Sequence, residues 1–342
     1  MSGTTKRFKL LLVVALLALW CIAINSSIVS AHTTTVASTV PASGNQLVQT
    51  IRATQTSAQV QAYWTAARMK AAHPVSNPVV SSHSLKRSAN NVATGPARSE
   101  APVKPKGSKI PLAYPLPTSL YSTYPYSTIG KIFFSDSNGG NWVCSGTAIV
   151  SNNKNTVDTA GHCVIARGSG NNWFHNWLFC PQYYYQYIAS NCWSGRQAWA
   201  SNDWIYAGSV EDDFGSIVVW PNGRGNLTDA VGGSGWAYNY PASQYFLAFG
   251  YPAEGAFDGQ SIYYCAATGT PYSLDDGTWT QIPCDLTGGA SGGPWFISVN
   301  GGFGYVNGHN DWSDNPAAST VILSPYYDGD WFNVYNSAQN VF

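Results

Sequence analysis

The chain has 342 residues, with 17 Lys/Arg against 17 Asp/Glu and a formal net charge of zero. That neutrality hides an asymmetry. Residues 1–130 carry twelve Lys/Arg and a single acid, Glu100, whereas residues 131–342 carry five Lys/Arg and sixteen Asp/Glu. The later part has no basic patch, which argues against a nucleic-acid partner, and the two parts should attract one another until salt screens them. At the start, Lys6, Arg7 and Lys9 precede an apolar run from Leu10 to Ile24. At about fifteen residues, the run falls short of the roughly twenty that span a bilayer. Small residues follow at Val29-Ser30-Ala31, so residues 1–31 read as a secretory signal peptide, with a retained anchor as the alternative. Cys21 lies inside it and is treated as filler. Export and an extracellular location are expected, with no membrane attachment after cleavage.

Residues 32–115 are rich in Thr, Ser, Val, Ala and Pro and nearly free of acids. Ser57 is expected to cap a helix carrying Val60, Tyr63, Trp64 and Ala67 on one face, ended by Pro74 and Pro78. The string Ala62-Tyr63-Trp64-Thr65, followed by Arg68-Met69, resembles pro-segments of secreted actinobacterial serine proteases. From Lys104 to Pro117 a Lys/Pro-rich linker is expected to be extended and readily cleaved. A plain disordered spacer is the alternative for the whole stretch.

From about Tyr121 the chain reads as short strands between turns. Thr128–Phe134 and Trp142–Val150 flank the turn Asn138-Gly139-Gly140, and Phe214–Trp220 is a buried strand by length and β-branching. Further strands are expected at Tyr245–Gly250, Ser261–Cys265, Trp295–Val299, Phe303–Val306 and Thr320–Leu323. Trp331, Val334, Tyr335 and Ala338 keep helical spacing and predict a terminal helix. Roughly 220 residues can bury a large core. Many short strands, one closing helix and no internal repeat suit an all-β fold of two packed antiparallel six-stranded barrels, although alternation alone does not separate barrels from a sandwich.

Three stretches carry chemistry. Gly288-Gly289-Ala290-Ser291-Gly292-Gly293-Pro294 presents a serine between glycines on a turn entering an apolar strand. Its glycines let a substrate approach the backbone, and the N–H groups of Gly289 and Ser291 can receive the oxyanion of a tetrahedral intermediate. A serine hydroxyl needs a base, and Thr159-Ala160-Gly161-His162-Cys163 supplies a histidine. Upstream of it stands Cys144-Ser145-Gly146-Thr147-Ala148. The Cys-Ser-Gly-Thr run, an apolar strand and the Thr-Ala-Gly-His-Cys run together closely resemble the histidine-bearing barrel of trypsin-fold serine proteases, and the order His, Asp, Ser agrees.

The resemblance implies a serine endopeptidase acting on peptide or protein substrates, with Cys144 bridged to Cys163. Six cysteines lie beyond the signal and can pair in fifteen ways. Proximity then suggests Cys180–Cys192 and Cys265–Cys284. In this fold the triad aspartate opens a strand, which favours Asp213 before Phe214-Gly215-Ser216-Ile217; Asp212 and Asp203 are the alternatives. Gly161, the Gly250-Tyr251-Pro252 turn and the run Cys284-Asp285-Leu286-Thr287-Gly288-Gly289 look like the bacterial glutamyl endopeptidase branch. The match covers residues 120–342, which makes 116–342 the protease domain. Digestive trypsins carry an aspartate just before the nucleophile to pair with a freed N-terminus; Ala290 occupies that position here and excludes the ion-pair switch.

That branch places a histidine against the acidic side chain of its substrate. The resemblance gives this role to His309, in Gly308-His309-Asn310, and implies cleavage after Glu. Asp285 stands six residues before Ser291, where trypsins keep the acid that binds Lys or Arg, so resemblance to trypsins implies cleavage after Arg or Lys instead. Glutamyl endopeptidases can also show an aspartate in this run, which leaves both readings open. His175, among Trp173, Phe174 and Trp177, is expected to be structural. Asn226-Leu227-Thr228 matches a glycosylation acceptor. Asp275-Asp276-Gly277 reads as a turn, and neither a metal site nor a cofactor is expected. The expected protein is a monomer whose further partner is its own pro-segment. The competing class is a secreted binding module, because twelve of fourteen Trp lie between Trp142 and Trp331 and aromatic faces bind carbohydrate. An inactive protease homologue is its best form.

Overall fold

The structure, a computed structural model, describes residues 47–75, 113–185, 189–274, 277–313 and 320–342. The expected signal peptide, most of the Lys/Pro-rich linker and the Asp275-Asp276 turn lie outside the described residues. Strands Ile129–Ser135, Asn141–Ala148, Thr156–Ala160, Phe214–Val219, Trp193–Ser201 and His175–Pro181 pair antiparallel in that order around a closed ring. Every residue of Ile129–Ser135 is buried. Its side chains alternate between two cores, as strand geometry requires. Ile132 and Phe134 fill the barrel with Val157, Trp177 and Ile217, while Ile129 and Phe133 join Phe249, Tyr251 and Phe296 outside it.

The second half places Gly302–His309, Pro294–Val299, Tyr245–Gly250 and Tyr263–Thr268 side by side in a six-stranded sheet. A four-stranded sheet of Thr270–Leu274, Gly277–Pro283, Val321–Pro325 and Trp312–Ser313 accompanies it. The chain turns the corner from one sheet to the other at Gly269, as strands do where two sheets pack across one another. Phe246, Ala248, Ile282, Trp295, Ile297 and Ile322 fill the shared core. Among the described residues this half is two sheets around one core, consistent with the expected trypsin-like fold. The all-β class, the first barrel and the terminal helix Gly329–Gln339 agree with expectation, and Trp331, Val334, Tyr335 and Ala338 are the helix's buried residues. All three disulfides join the cysteines that were paired by resemblance and proximity.

Residues 47–75, which fall in the expected pro-segment or leader, are more built-in than their composition suggests. Val48–Arg52 pairs antiparallel with the barrel strand Trp193–Ser201. The helix Ser57–Tyr63 is capped by Thr56, with Gln59 completing a capping box, so the cap lies one residue before Ser57. The helix does not run on towards Pro74. Trp64 leaves helical geometry and Thr65 caps a second helix, Ala66–Ala71. That break buries Val60, Trp64 and Met69 to 2 % exposure or less. His73–Pro74 then lies beside Trp142–Val143 of the barrel.

Candidate active site

Strand register brings the expected imidazole and carboxylate together. Thr156–Ala160 runs into a single helical turn, Gly161–Cys163, that carries His162. Asp213 precedes the neighbouring strand Phe214–Val219, in which Phe214 pairs with Ala160. His162 Nδ1 lies 2.8 Å from Asp213 Oδ2, and the His162 backbone N–H donates to Asp213 Oδ1 at 2.6 Å. Gly161 permits this approach, because a Cβ there would stand 2.8 Å from Asp213 Oδ1. The two alternative acids lie elsewhere: Asp212 accepts from the Ser209 hydroxyl at 2.7 Å, and Asp203 is exposed at the start of the turn Asp203–Ala207. His162 Nε2 is buried with no hydrogen-bond partner.

Ser291 sits on the turn before strand Pro294–Val299 and is fully buried. The Ser145 backbone N–H donates to Ser291 O at 2.7 Å, and Cys163 Sγ lies 3.8 Å from the same oxygen. The serine backbone therefore abuts the residue that follows His162. Its turn is clamped from two sides. The Ser145 hydroxyl accepts from Tyr251 N–H and donates to Gly289 O, each at 2.9 Å. Asn310 Nδ2 donates to Ala290 O at 3.0 Å and to Phe249 O at 2.7 Å, while its own carbonyl accepts from Gly292 N–H at 2.7 Å. Trp295 Nε1–H donates to Asn310 Oδ1 at 2.8 Å, which leaves that buried amide fully satisfied. Gly289 has φ +91°, a conformation that costs glycine little, and its N–H donates to the carbonyl of Val75 in the leader at 3.0 Å.

A second carboxylate stands at the imidazole. Asp311 Oδ1 lies 3.2 Å from His162 Nδ1, with no part of the residue exposed. Burial alone would lower the His162 pKa, but the charge and hydrogen bond of Asp213, joined by those of Asp311, lift it to about 10. Burial would raise Asp213, yet the His162 charge and hydrogen bond hold it below the ordinary carboxylate range. Asp311 goes the other way: burial first, then the Asp213 charge, push it well above that range.

The two residues singled out for specificity are placed differently from one another. The His309 ring is wholly buried, edge-on to Phe214, with Nδ1 2.9 Å from the Tyr327 hydroxyl. That hydroxyl donates to Asp158 Oδ2 at 2.7 Å. Burial pushes the His309 pKa down to about 3, so the ring is neutral here. Asp285, partly buried, accepts from the Ala113 backbone N–H through Oδ1. His175 opens strand His175–Pro181, half-buried and away from these groups. Asp311 and Tyr327 carry no signal in the sequence, and Ser145 and Asn310 enter it only as members of motifs, without a role of their own. Cys144, His162 and Cys163 lie close enough for a metal set, but both sulfurs are held in one disulfide. His162, Asp213 and Asp311 also cluster; their facing atoms share the Nδ1 proton, and we assign no metal ligand there.

A closed six-stranded barrel with an imidazole–carboxylate pair, and a serine on a clamped glycine-rich turn beside it, defines a serine endopeptidase. Among solved structures, the chain is similar to the protease Anisep from Arthrobacter nicotinovorans, with 34 % identity and a TM-score of 0.58 over 63 % of this chain and 96 % of that one. It is similar to the thermostable serine protease AL20 from an extremophilic microorganism, with 33 % identity and a TM-score of 0.57 over 63 % and 98 %. A Glu endopeptidase structure shares the fold at 17 % identity and a TM-score of 0.52, over 67 % and 97 %. No family model and no curated protein matches the sequence. The chain belongs to the trypsin-like serine proteases.

Proposed function

We propose that the protein is exported as an inactive precursor and hydrolyses peptide bonds through Ser291, His162 and Asp213. Ser291 Oγ attacks the scissile carbonyl carbon while His162 Nε2 takes its proton, and Asp213 keeps the Nδ1–H tautomer and stabilises the imidazolium. The N–H groups of Gly289 and Ser291 receive the oxyanion. His162 then protonates the leaving amine, and water releases the acyl group by the same steps. The observation that carries this reading is the 2.8 Å pair between His162 and Asp213 with Nε2 left unpartnered. The Val75 carbonyl on Gly289 N–H supports a pro-segment that blocks the oxyanion site, and Ala290 leaves no N-terminal ion pair to do the switching. Three disulfides and the signal-like N-terminus support export.

Ser291→Ala should lower turnover of the processed enzyme by about a millionfold while secretion and folding persist, and a serine-directed phosphonate should label the wild type at Ser291. Comparable cleavage by the alanine variant would reject the nucleophile. Cleavage after Glu rests on the resemblance of Gly308-His309-Asn310, since the His309 ring faces inward. Turnover of matched peptides with Glu, Arg or Phe before the scissile bond decides it, and a preference for Arg would move the pocket role to Asp285.

A further inference from the structure

Asp311 sits where one proton must serve two acids. The single Nδ1 proton of His162 is engaged by Asp213 Oδ2 at 2.8 Å, yet Asp311 Oδ1 lies only 3.2 Å from the same nitrogen. Neither oxygen of Asp311 receives a well-directed hydrogen bond among the described residues, although both are buried. A carboxylate oxygen of Asp213, one of Asp311 and a His162 ring nitrogen all lie within 4.8 Å of one another. Two buried anions at that distance repel, and one of them must take a proton. Asp213 already accepts from the His162 backbone at 2.6 Å and from Nδ1 at 2.8 Å, which favours its charged form. The proton therefore belongs to Asp311.

We propose that Asp311 is a positioning residue of the reaction: a neutral carboxyl group that donates its O–H to Asp213 and holds that carboxylate against His162. This rests on the catalytic assignment above. The neutral state also matters to the base. The lift of His162 to about 10 reflects the charges of both Asp213 and Asp311. Two such anions would keep the imidazole protonated at neutral pH, where it must be free to accept the Ser291 proton. One anion and one neutral donor orient the ring without that excess pull. The upward push on Asp311 from burial and from Asp213 agrees with this state. The titratable groups facing it are His162 from the helical turn, Asp213 from the barrel strand end and Tyr327 from the segment entering the terminal helix. Neighbouring Asn310 fixes the height of the segment by clamping the serine turn, so Asp311 cannot drift away without disturbing Ser291.

The test uses secreted, processed enzyme, with active molecules counted by phosphonate labelling at Ser291. Asp311→Asn is close to isosteric and keeps an N–H donor for Asp213. It should stay within about tenfold of wild-type kcat, with the acid limb of the pH profile moved by less than about half a pH unit, the behaviour of a lost donor replaced rather than of a lost charge. Asp311→Ala removes the donor and should lower kcat about 100-fold per labelled molecule, with KM little changed. An alanine variant with wild-type kcat would overturn the proposal. So would an asparagine variant whose acid limb falls by about one pH unit or more, because Asp311 would then be acting as a second anion on His162. A wild type that cannot be labelled at Ser291 would instead bring down the catalytic assignment itself.

Discussion

Trp64→Ala should turn the leader from a tight inhibitor into a weak one. Residues 47–75 touch the barrel through three different devices, and their magnitudes differ. The Val75 carbonyl contributes one hydrogen bond to Gly289 N–H, worth about 0.5–1.5 kcal/mol net, or roughly tenfold in affinity. The strand Val48–Arg52 adds a row of such bonds along Trp193–Ser201. Trp64 is different in kind. It is 1 % exposed, its ring lies 5.4 Å from Phe133, and its Nε1–H donates to Asn176 O at 2.6 Å. Truncating such a residue costs about 3–5 kcal/mol, which is about a 100- to 4,000-fold loss of binding. The assay adds a synthetic 47–75 segment, with and without the substitution, to processed enzyme cleaving a fluorogenic peptide. Equal inhibition constants for the two segments would refute the view that the apolar anchor holds the leader down. Absence of inhibition by the wild-type segment would refute its role as an inhibitor.

Gly161→Ala would place a methyl 2.8 Å from Asp213 Oδ1, and kcat should fall about 100-fold for an ångström-scale displacement; an unchanged kcat in disulfide-bonded protein would show that the close approach is not needed. Asp158 is wholly buried, accepting from the Tyr327 hydroxyl at 2.7 Å and Trp331 Nε1–H at 2.9 Å, and burial raises its pKa to about 7. The native state thus holds this proton more tightly than the unfolded chain does, so stability falls as pH rises from about 4 to about 7 and then levels, by on the order of 4 kcal/mol. Urea unfolding of the Ser291→Ala precursor at pH 5 and pH 8 should show the part of that loss lying above pH 5, about 3 kcal/mol, and Asp158→Asn should flatten it. An Asp158→Asn variant with the same pH dependence would assign the loss to other groups.

His162 and Ser291 were legible because each stands in a run whose neighbours have their own duties. Gly161 clears space for a carboxylate, Cys163 carries a bridge, and Gly289 bends where other residues would strain. Asp213 could be chosen among nearby acids only through the strand that follows it. Asp311 had no such context: an acid between Asn310 and Trp312 reads as a solvated loop residue, and only tertiary packing buries it against an imidazole 149 positions earlier. The clamping role of Asn310 is hidden for the same reason, since its partners Phe249, Ala290 and Gly292 come from other segments. His309 is a different case. Its residue type and position suggested a pocket wall, but a side chain's facing is not written in its identity, and here Tyr327 and Phe214 enclose it. The leader's helical periodicity was readable; its partner strand, some 150 residues later, was not.

The pairing of Val48–Arg52 with Trp193–Ser201 also sets a kinetic problem for activation. Cutting the chain after residue 75 does not by itself separate the parts, because the strand, the Trp64 anchor and the Val75 contact remain in place as a two-chain complex. Any leader that does come off leaves the row Gln197–Ser201 with open donors and acceptors, a ready edge for the same segment to return to. On the proposed reading of residues 47–75 as an inhibitory pro-segment, the onset of activity would be timed by how fast that segment is digested rather than by how fast it is cut loose, and early active molecules, by degrading segments bound to their neighbours, would make that onset accelerate.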